Sequence, residues 1–187
     1  MDAAAYQLRE NTGTSGVVQT ALAAAIILAE HDIPHLIVGD LAVQEHGYPR
    51  LTLDVDMVVP DVLEAVEFLT ADLSGPFRRV AGCADRIEHR HTGVPVDLLP
   101  AGGVLRRGCR VPFPQPAQAT EQLRFAAVED LISLKLDSWA NSPARRLQDR
   151  ADVTELILRR RLPRDLAVAL AVRPLYLELW DTLATET

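Results

Sequence analysis

The spacing of apolar residues predicts strands alternating with helices over the first hundred positions, and helices alone near the end of the chain. The predicted helices of the first part are residues 17–30, 41–46 and 62–73, and the predicted strands are residues 35–38, 50–59, 77–81, 85–91 and 94–98. Four more helices are predicted over residues 128–139, 143–161, 163–172 and 174–183. This order favours an α+β fold, in which one mixed β-sheet is flanked by helices and followed by a C-terminal helical region.

Glycine and proline are concentrated in residues 100–116, a composition typical of a loop or linker. We therefore expect an α/β domain over residues 1–116 and a helical region over residues 117–187 that packs on it. Near the start of the chain, residues 13–16 predict a flexible turn with a serine or threonine cap for the first helix.

Residues 50–59 carry two carboxylates inside an apolar run. Side chains of a strand alternate between its two faces, so polar residues share one face and apolar residues share the other. The polar face is Arg50, Thr52, Asp54 and Asp56, and the apolar face is Leu51, Leu53, Val55 and Met57. Two carboxylates held close together repel each other and pack poorly, yet they form the hard oxygen site that Mg²⁺ prefers when it also carries phosphates. The alternative is an exposed strand face whose acids are solvated or paired with Arg50.

Composition places the chain among ordinary globular proteins. It has 187 residues, 48% of them hydrophobic, which is enough to bury one core. Its longest apolar run, residues 17–29, is shorter than the roughly 20 residues that a membrane span needs. The first residues lack a basic segment before an apolar one, and the two cysteines lack the spacing of zinc ligands. We therefore expect no membrane association and a cytoplasmic location.

Charge is distributed unevenly along the chain despite a net charge of −7. Residues 101–187 carry 13 Lys and Arg against 11 Asp and Glu, and arginines cluster within residues 145–164. This local basic cluster weakly favours RNA as a partner, whereas the acidic total argues against strong non-specific binding to nucleic acid. The alternative is a solvated helix face with ion pairs such as Arg145 with Asp149.

Several of these residues together resemble a known group of enzymes. The elements that carry the resemblance are Val38-Gly39 before a helix, Arg50-x-Thr52-x-Asp54-x-Asp56, and Asp97 in a separate strand. This arrangement resembles the nucleotidyltransferase superfamily, which includes polymerase-β-like enzymes. Residues 128–135 and 145–153 resemble the C-terminal helices of the AbiEii-type toxin nucleotidyltransferases.

The resemblance implies a transfer of NMP from an NTP to a hydroxyl acceptor with the help of Mg²⁺ or Mn²⁺. The acceptor would be tRNA, a protein or a small molecule, and an antitoxin partner would follow from a toxin role. The implied metal-binding and catalytic residues are Asp54, Asp56 and Asp97. The implied nucleotide-binding residues are Gly39, Asp40, Arg50, Thr52, Lys135 and Asp149, with Asp152 as an alternative to Asp149.

Asp40 departs from the pattern of the family, which usually has glycine or serine at this position. A carboxylate beside a triphosphate is repulsive, and Asp40 could instead cap the helix over residues 41–46. This departure supports an alternative function, a catalytically weak or inactive protein that acts as a nucleotide-binding or protein-interaction module. Lys135 likewise has two interpretations, either a contact with phosphate or a side chain that extends outward to solvent.

Overall fold

The computed structural model describes residues 14–186, so Gly13 and the segment before it lie outside the described residues. Residues 14–16 belong to the first helix, so the flexible turn predicted over residues 13–16 is wrong from Thr14 onward. The helices are α1 (Thr14–Glu30), α2 (Gly39–Glu45), α3 (Val62–Thr70), α4 (Val128–Asn141), α5 (Leu147–Arg160) and α6 (Arg173–Glu186). The strands are β1 (Leu36–Val38), β2 (Val55–Val59), β3 (Phe77–Arg79), β4 (Arg86–His89) and β5 (Pro95–Pro100). None of the helices in residues 14–186 is long and apolar enough to cross a membrane.

The five strands form one mixed sheet in the order β1-β2-β5-β4-β3. Strands β2 and β5 are parallel, and every other neighbouring pair is antiparallel. Parallel neighbours need a crossover connection, which α3, β3 and β4 provide. The expectation of an α+β fold with a mixed sheet flanked by helices is therefore confirmed.

Both faces of the central strands are covered. One face, which includes Ile37 and Met57, packs with α1 and α3 in one hydrophobic core. The opposite face, which includes Val58, belongs to a second core shared with the C-terminal helices. Because α4 and α5 pack on the same side of the sheet as Asp56, the C-terminal helices help to build any site at that face.

The strand predicted over residues 50–59 is shorter than expected, because pairing begins only at Val55. Before that point the chain leaves the sheet. The Arg50 carbonyl accepts a hydrogen bond from the Gln44 side-chain amide, so its hydrogen-bonding potential is satisfied outside the strand ladder. The prediction that Leu51 and Leu53 face a core is therefore wrong, since these residues are 54% and 70% exposed.

The helix predicted over residues 163–172 is absent, so three helices rather than four follow residue 127 in the described part of the chain. Helix α5 ends at Arg160, and the C-cap residue Arg161 adopts a left-handed conformation with φ of 51°. The segment after it is held by other elements, since the Ala169 amide donates to Ser133 Oγ and the Ala171 carbonyl accepts from Arg110. Contacts of this kind replace the bonds that a helix would make within itself.

Two helix boundaries also differ from the prediction. Helix α5 begins at Leu147 rather than at Pro143, because residues 142–146 form a turn. Helix α3 ends at Thr70, which leaves Leu73 outside it and 87% exposed. Leu63 was also expected on the buried stripe of α3 and is 67% exposed, because the buried positions are Ala65, Val66 and Leu69.

Candidate active site

The predicted carboxylates meet at the pair of parallel strands in the middle of the sheet. Asp56 on β2 lies directly opposite Asp97 on β5 in the strand register, and Asp54 immediately precedes β2. Neighbouring strands lie about 4.8 Å apart, so these side chains share one small region of the sheet. All three line a cavity of about 600 Å³. The strand of Asp97 therefore neighbours that of Asp56, which is the condition for Asp97 to complete the group of carboxylates.

Gly39 makes room for the Asp56 carboxylate. It connects β1 to α2 with φ of +65°, a conformation that glycine adopts without strain. A Cβ atom at this position would lie 1.9 Å from Asp56 Oδ2 and 2.9 Å from Asp56 Cγ. Any larger residue would collide with the carboxylate. The absence of a side chain at Gly39 thus lets the backbone turn approach the Asp56 carboxylate closely.

The charges around Asp56 oppose its ionisation. Burial, together with the charges of the neighbouring Asp54, Asp97 and Asp40, raises the pKa of Asp56 to about 7, while Lys135 acts in the opposite direction. A carboxylate crowded by other carboxylates is stabilised in its charged form by an added cation. The environment of Asp56 therefore favours cation binding at this point of the sheet.

Asp97 is engaged by an arginine that sequence reasoning missed. Arg86 on β4 lies opposite Asp97 in the antiparallel register, and its Nε and Nη2 donate to the two carboxylate oxygens at 2.5 and 2.6 Å. The predicted hairpin did not reveal this pair, because strands 85–91 and 94–98 joined by a two-residue turn would place Glu88 opposite Asp97. Within residues 14–186, no group of three or more His, Cys, Asp or Glu side chains is placed closely enough to hold a metal ion as the structure stands.

Lys135 of α4 is buried among three carboxylates. Its Nζ donates to Asp40 Oδ1 at 2.7 Å, to Asp152 Oδ2 at 2.7 Å and to Asp149 Oδ1 at 3.1 Å. Burial alone would lower the pKa of Lys135, but the charges of Asp40, Asp152 and Asp149 outweigh burial and raise it, so the side chain stays charged. The side chain points inward, which contradicts the interpretation that it extends to solvent.

Arg50 joins the same group of charges, since its Nη2 lies 2.7 Å from Asp40 Oδ2 and its Nη1 lies 2.5 Å from Asp152 Oδ2. Asp40 therefore contacts two cations. It is the second residue of α2, and the N-cap residue Val38 has no side-chain hydrogen bond, so the interpretation of Asp40 as a helix cap is wrong. The carboxylate is drawn away from the helix end by Lys135 and Arg50.

The two remaining predicted residues hold other residues in place. Thr52 Oγ1 donates to Asp54 Oδ1 at 3.1 Å, which orients this carboxylate. Asp149 accepts from Ser138 Oγ at 2.6 Å in addition to Lys135, and so ties α5 to α4. The alternative in which Asp149 pairs with Arg145 is not what the structure shows, because Arg145 lies in the turn before α5.

Most of the predicted residues contribute to a single cavity. Its lining includes Gly39, Asp40, Arg50, Asp54, Asp56, Asp97, Lys135 and Asp149, whereas Thr52 lies behind Asp54. Sequence reasoning did not assign Arg86, Arg145 and Arg146 to the site, although all three line the cavity. Its apolar wall is formed by Leu99, Leu105, Phe113, Leu131 and Leu134. A cavity with an acidic side, basic groups and an apolar wall suits a ligand with phosphates and a ring.

Comparisons with known proteins give a likeness in structure but none in sequence. No family model matches the chain, and no curated protein sequence matches it significantly. Among solved structures, the chain is similar to the antibiotic-resistance factor ANT(2'')-Ia, an aminoglycoside nucleotidyltransferase, with 15% sequence identity and a TM-score of 0.48. The match covers 94% of this chain and 95% of the other. A likeness of this degree assigns no activity, so a functional assignment depends on the residues of the site.

Proposed function

We propose that this protein is a nucleotidyltransferase that moves an NMP group from an NTP to a hydroxyl acceptor with the help of Mg²⁺ or Mn²⁺. The observation that carries the proposal is the pairing of Asp56 with Asp97 on neighbouring parallel strands, with Asp54 beside them, inside one cavity. Carboxylates placed together on a rigid sheet are costly for stability, and such groups are commonly retained for function.

The carboxylates of the cavity are chemically suited to bind a divalent cation. Carboxylate oxygens are hard ligands. Burial and the neighbouring carboxylates raise the pKa of Asp56 to about 7, and a cation offsets the repulsion among these carboxylates. Asp54 and Asp56 would hold it, and Asp97 would join them once it is released from Arg86. A bound cation supplies positive charge to the phosphates of the substrate.

The transfer itself exchanges one phosphorus–oxygen bond for another. The acceptor oxygen forms a bond to the α-phosphorus, while the bond between this phosphorus and the bridging oxygen to the β-phosphate breaks. Pyrophosphate leaves with the electron pair of the broken bond, and the hydroxyl proton passes to a carboxylate. We assign this proton to Asp97, which faces Asp56 across the two strands.

Lys135 and Arg50 support this reaction by keeping the cavity wall in place. They offset two of the three negative charges of Asp40, Asp149 and Asp152, which would otherwise repel a triphosphate. The departure of Asp40 from the family pattern is therefore compatible with nucleotide binding, since its carboxylate is paired on both oxygens. Lys135 and Asp149 would also contact the nucleotide.

A labelling experiment tests the proposal. The protein is incubated with Mg²⁺ and each labelled NTP in the presence of bulk tRNA, protein or small hydroxyl compounds, which also identifies the acceptor class. Transfer should be lost in Asp54→Ala and in Asp56→Ala. It should persist in Asp181→Ala, an exposed acid that pairs with Arg164 and lies outside the cavity. Transfer that survives in both site variants would contradict the proposal.

A second candidate function is a nucleotide-binding or protein-interaction module with weak or no activity. It is favoured by the pairing of Asp97 with Arg86, which occupies the third carboxylate. Under this function, a thermal shift with Mg²⁺ and NTP would appear without any transfer, since a ligand at 100 times its Kd stabilises a protein by about 2.7 kcal/mol. Transfer above the level of the Asp54→Ala variant would exclude it.

A further inference from the structure

The cations inside the cavity are already neutralised by carboxylates. Lys135 contacts three acids within 3.1 Å, and Arg50 contacts two of the same acids. Arg86 is engaged with Asp97 through both of its carboxylate oxygens. A triphosphate brings several negative charges, and these three side chains offer little uncompensated positive charge to receive them.

Two further arginines line the same cavity without such partners. Arg145 and Arg146 belong to the turn between α4 and α5, and both are exposed. Within residues 14–186, neither guanidinium group forms an ion pair or a hydrogen bond with another side chain, whereas Arg159 of the same region pairs with Glu155. Their charges are therefore available to a ligand that enters the cavity.

The turn that carries these arginines is anchored. The amides of Arg145 and Arg146 both donate to the Ser142 carbonyl at 3.0 Å, and the Asp149 amide donates to the Arg146 carbonyl at 3.1 Å. The bond from Ser138 to Asp149 ties the first turn of α5 to α4. A fixed backbone reduces the entropy lost when two flexible side chains engage a ligand.

We propose that Arg145 and Arg146 bind the β- and γ-phosphates of the NTP, the part that leaves as pyrophosphate. This inference rests on the proposed nucleotidyl transfer, since it gives the leaving group a site separate from the carboxylates that surround the α-phosphate. The planar guanidinium group donates two parallel hydrogen bonds to a phosphate, which makes arginine better suited than lysine to this role. The two arginines thus hold the leaving group while Asp54, Asp56 and Asp97 act at the reacting phosphorus.

The test is a comparison of ligands with and without the leaving phosphates. Equilibrium binding is measured by calorimetry in the presence of Mg²⁺ for each NTP, for the matching NMP and for inorganic pyrophosphate. The Arg145→Ala/Arg146→Ala variant should bind the NTP and pyrophosphate about 10- to 100-fold more weakly, with little change for the NMP. The corresponding double lysine variant keeps the charge and should lose only part of this affinity.

A matched control is Arg159→Ala/Arg160→Ala, which removes two adjacent charges from α5 outside the cavity. This control should bind all three ligands as the wild type does. Since Arg145 and Arg146 are exposed, urea unfolding of their double variant should match that of the wild type.

Three results would overturn the inference. The first is equal weakening of NTP and NMP binding, and the second is the same loss in the control. The third is unchanged NTP affinity together with weaker binding of bulk tRNA, which would assign the arginines to an acceptor. A wild type that transfers NMP while the arginine variant behaves identically refutes this inference alone. A wild type that binds neither NTP nor pyrophosphate refutes the proposed function as well.

Discussion

Replacing Gly39 by alanine should separate the Asp56 carboxylate from the backbone turn that surrounds it. An added Cβ would lie 1.9 Å from Asp56 Oδ2, 2.9 Å from Cγ and 3.1 Å from Cβ. Rotation of the carboxylate relieves only the first two contacts, because the Cβ atom of Asp56 is fixed to β2. The substitution therefore requires both a strained backbone and a shift of α2 against β2.

The loss in free energy of unfolding expected for Gly39→Ala has two contributions. Alanine in a left-handed conformation costs about 1–2 kcal/mol, and forcing an added atom into a packed position costs about 1–3 kcal/mol more. Gly39→Ala should thus lower the free energy of unfolding by about 2–5 kcal/mol. Gly47 provides the control, since it also has positive φ, at +98°, but an added Cβ there meets nothing within 4 Å. Gly47→Ala should show only the backbone cost, about 1–2 kcal/mol.

Urea unfolding of the single variants and of Gly39→Ala/Asp56→Ala measures both contributions. Without the Asp56 carboxylate the two shortest contacts disappear, so Gly39→Ala should cost less in the Asp56→Ala background than in the wild type. Nucleotidyl transfer should fall sharply in Gly39→Ala and remain near the wild-type level in Gly47→Ala. Equal destabilisation at the two glycines, or an unchanged cost in the Asp56→Ala background, would refute the reasoning.

Three further predictions follow from the charges of the site. Burial and neighbouring acids raise the pKa of Asp56 from 3.8 to about 7, so between about pH 4 and 7 the folded state binds a proton that the unfolded state has lost. The free energy of unfolding should therefore fall by up to about 4 kcal/mol as pH rises from about 4 to 7. Denaturation across this range should show the slope in the wild type and a smaller slope in Asp56→Asn. Lys135→Met should lower the free energy of unfolding in urea by about 3–5 kcal/mol, because it leaves Asp40, Asp149 and Asp152 without their shared cation. An unchanged free energy of unfolding would show that these acids are solvated and do not need the cation. Arg86→Ala should release Asp97 and lower the Mg²⁺ concentration needed for half-maximal transfer. Arg78→Ala breaks an exposed pair with Glu88 and should leave this Mg²⁺ concentration unchanged. Equal effects of the two substitutions would contradict the conclusion that Arg86 restrains Asp97.

The central part of the fold could be predicted because its signals are local. The short strand β1, the start of α2 at Gly39 and its end before Gly47 all depend on residues adjacent in sequence, and each lies close to its predicted position. The pattern predicts a strand around Asp97, but the pairing of this strand with that of Asp56 is a long-range contact that the pattern left open. A motif of this kind concentrates its information in a short stretch of chain.

The errors arose where distant contacts override local pattern. Leu51 and Leu53 alternate as a strand should, but the Arg50 carbonyl and guanidinium bond to Gln44 and Asp152, which lie outside the sheet. The segment 163–172 has helical composition, yet its backbone bonds to Ser133 and Arg110. Spacing along the chain carries no information about such partners.

The ion pairs of Lys135 likewise could not be predicted from local sequence pattern. Lys135, Asp40 and Asp152 are each separated by many residues, so their mutual neutralisation could not be read from any one segment. The sequence singled out these residues but offered only nucleotide binding or a helix cap for Asp40, since capping is the local role of an aspartate at a turn. The pairing of Asp97 with Arg86 depends on hairpin register in the same way.

The most direct test of the central claim is to follow separate labels on the α- and γ-phosphates of the NTP in the presence of Mg²⁺ and an acceptor. Nucleotidyl transfer predicts that the acceptor gains the α-label and that the γ-label appears in released pyrophosphate. Both events should disappear in Asp54→Ala and Asp56→Ala and persist in Asp181→Ala. Gain of the γ-label by the acceptor, or α-label transfer that is independent of both carboxylates, would contradict the account.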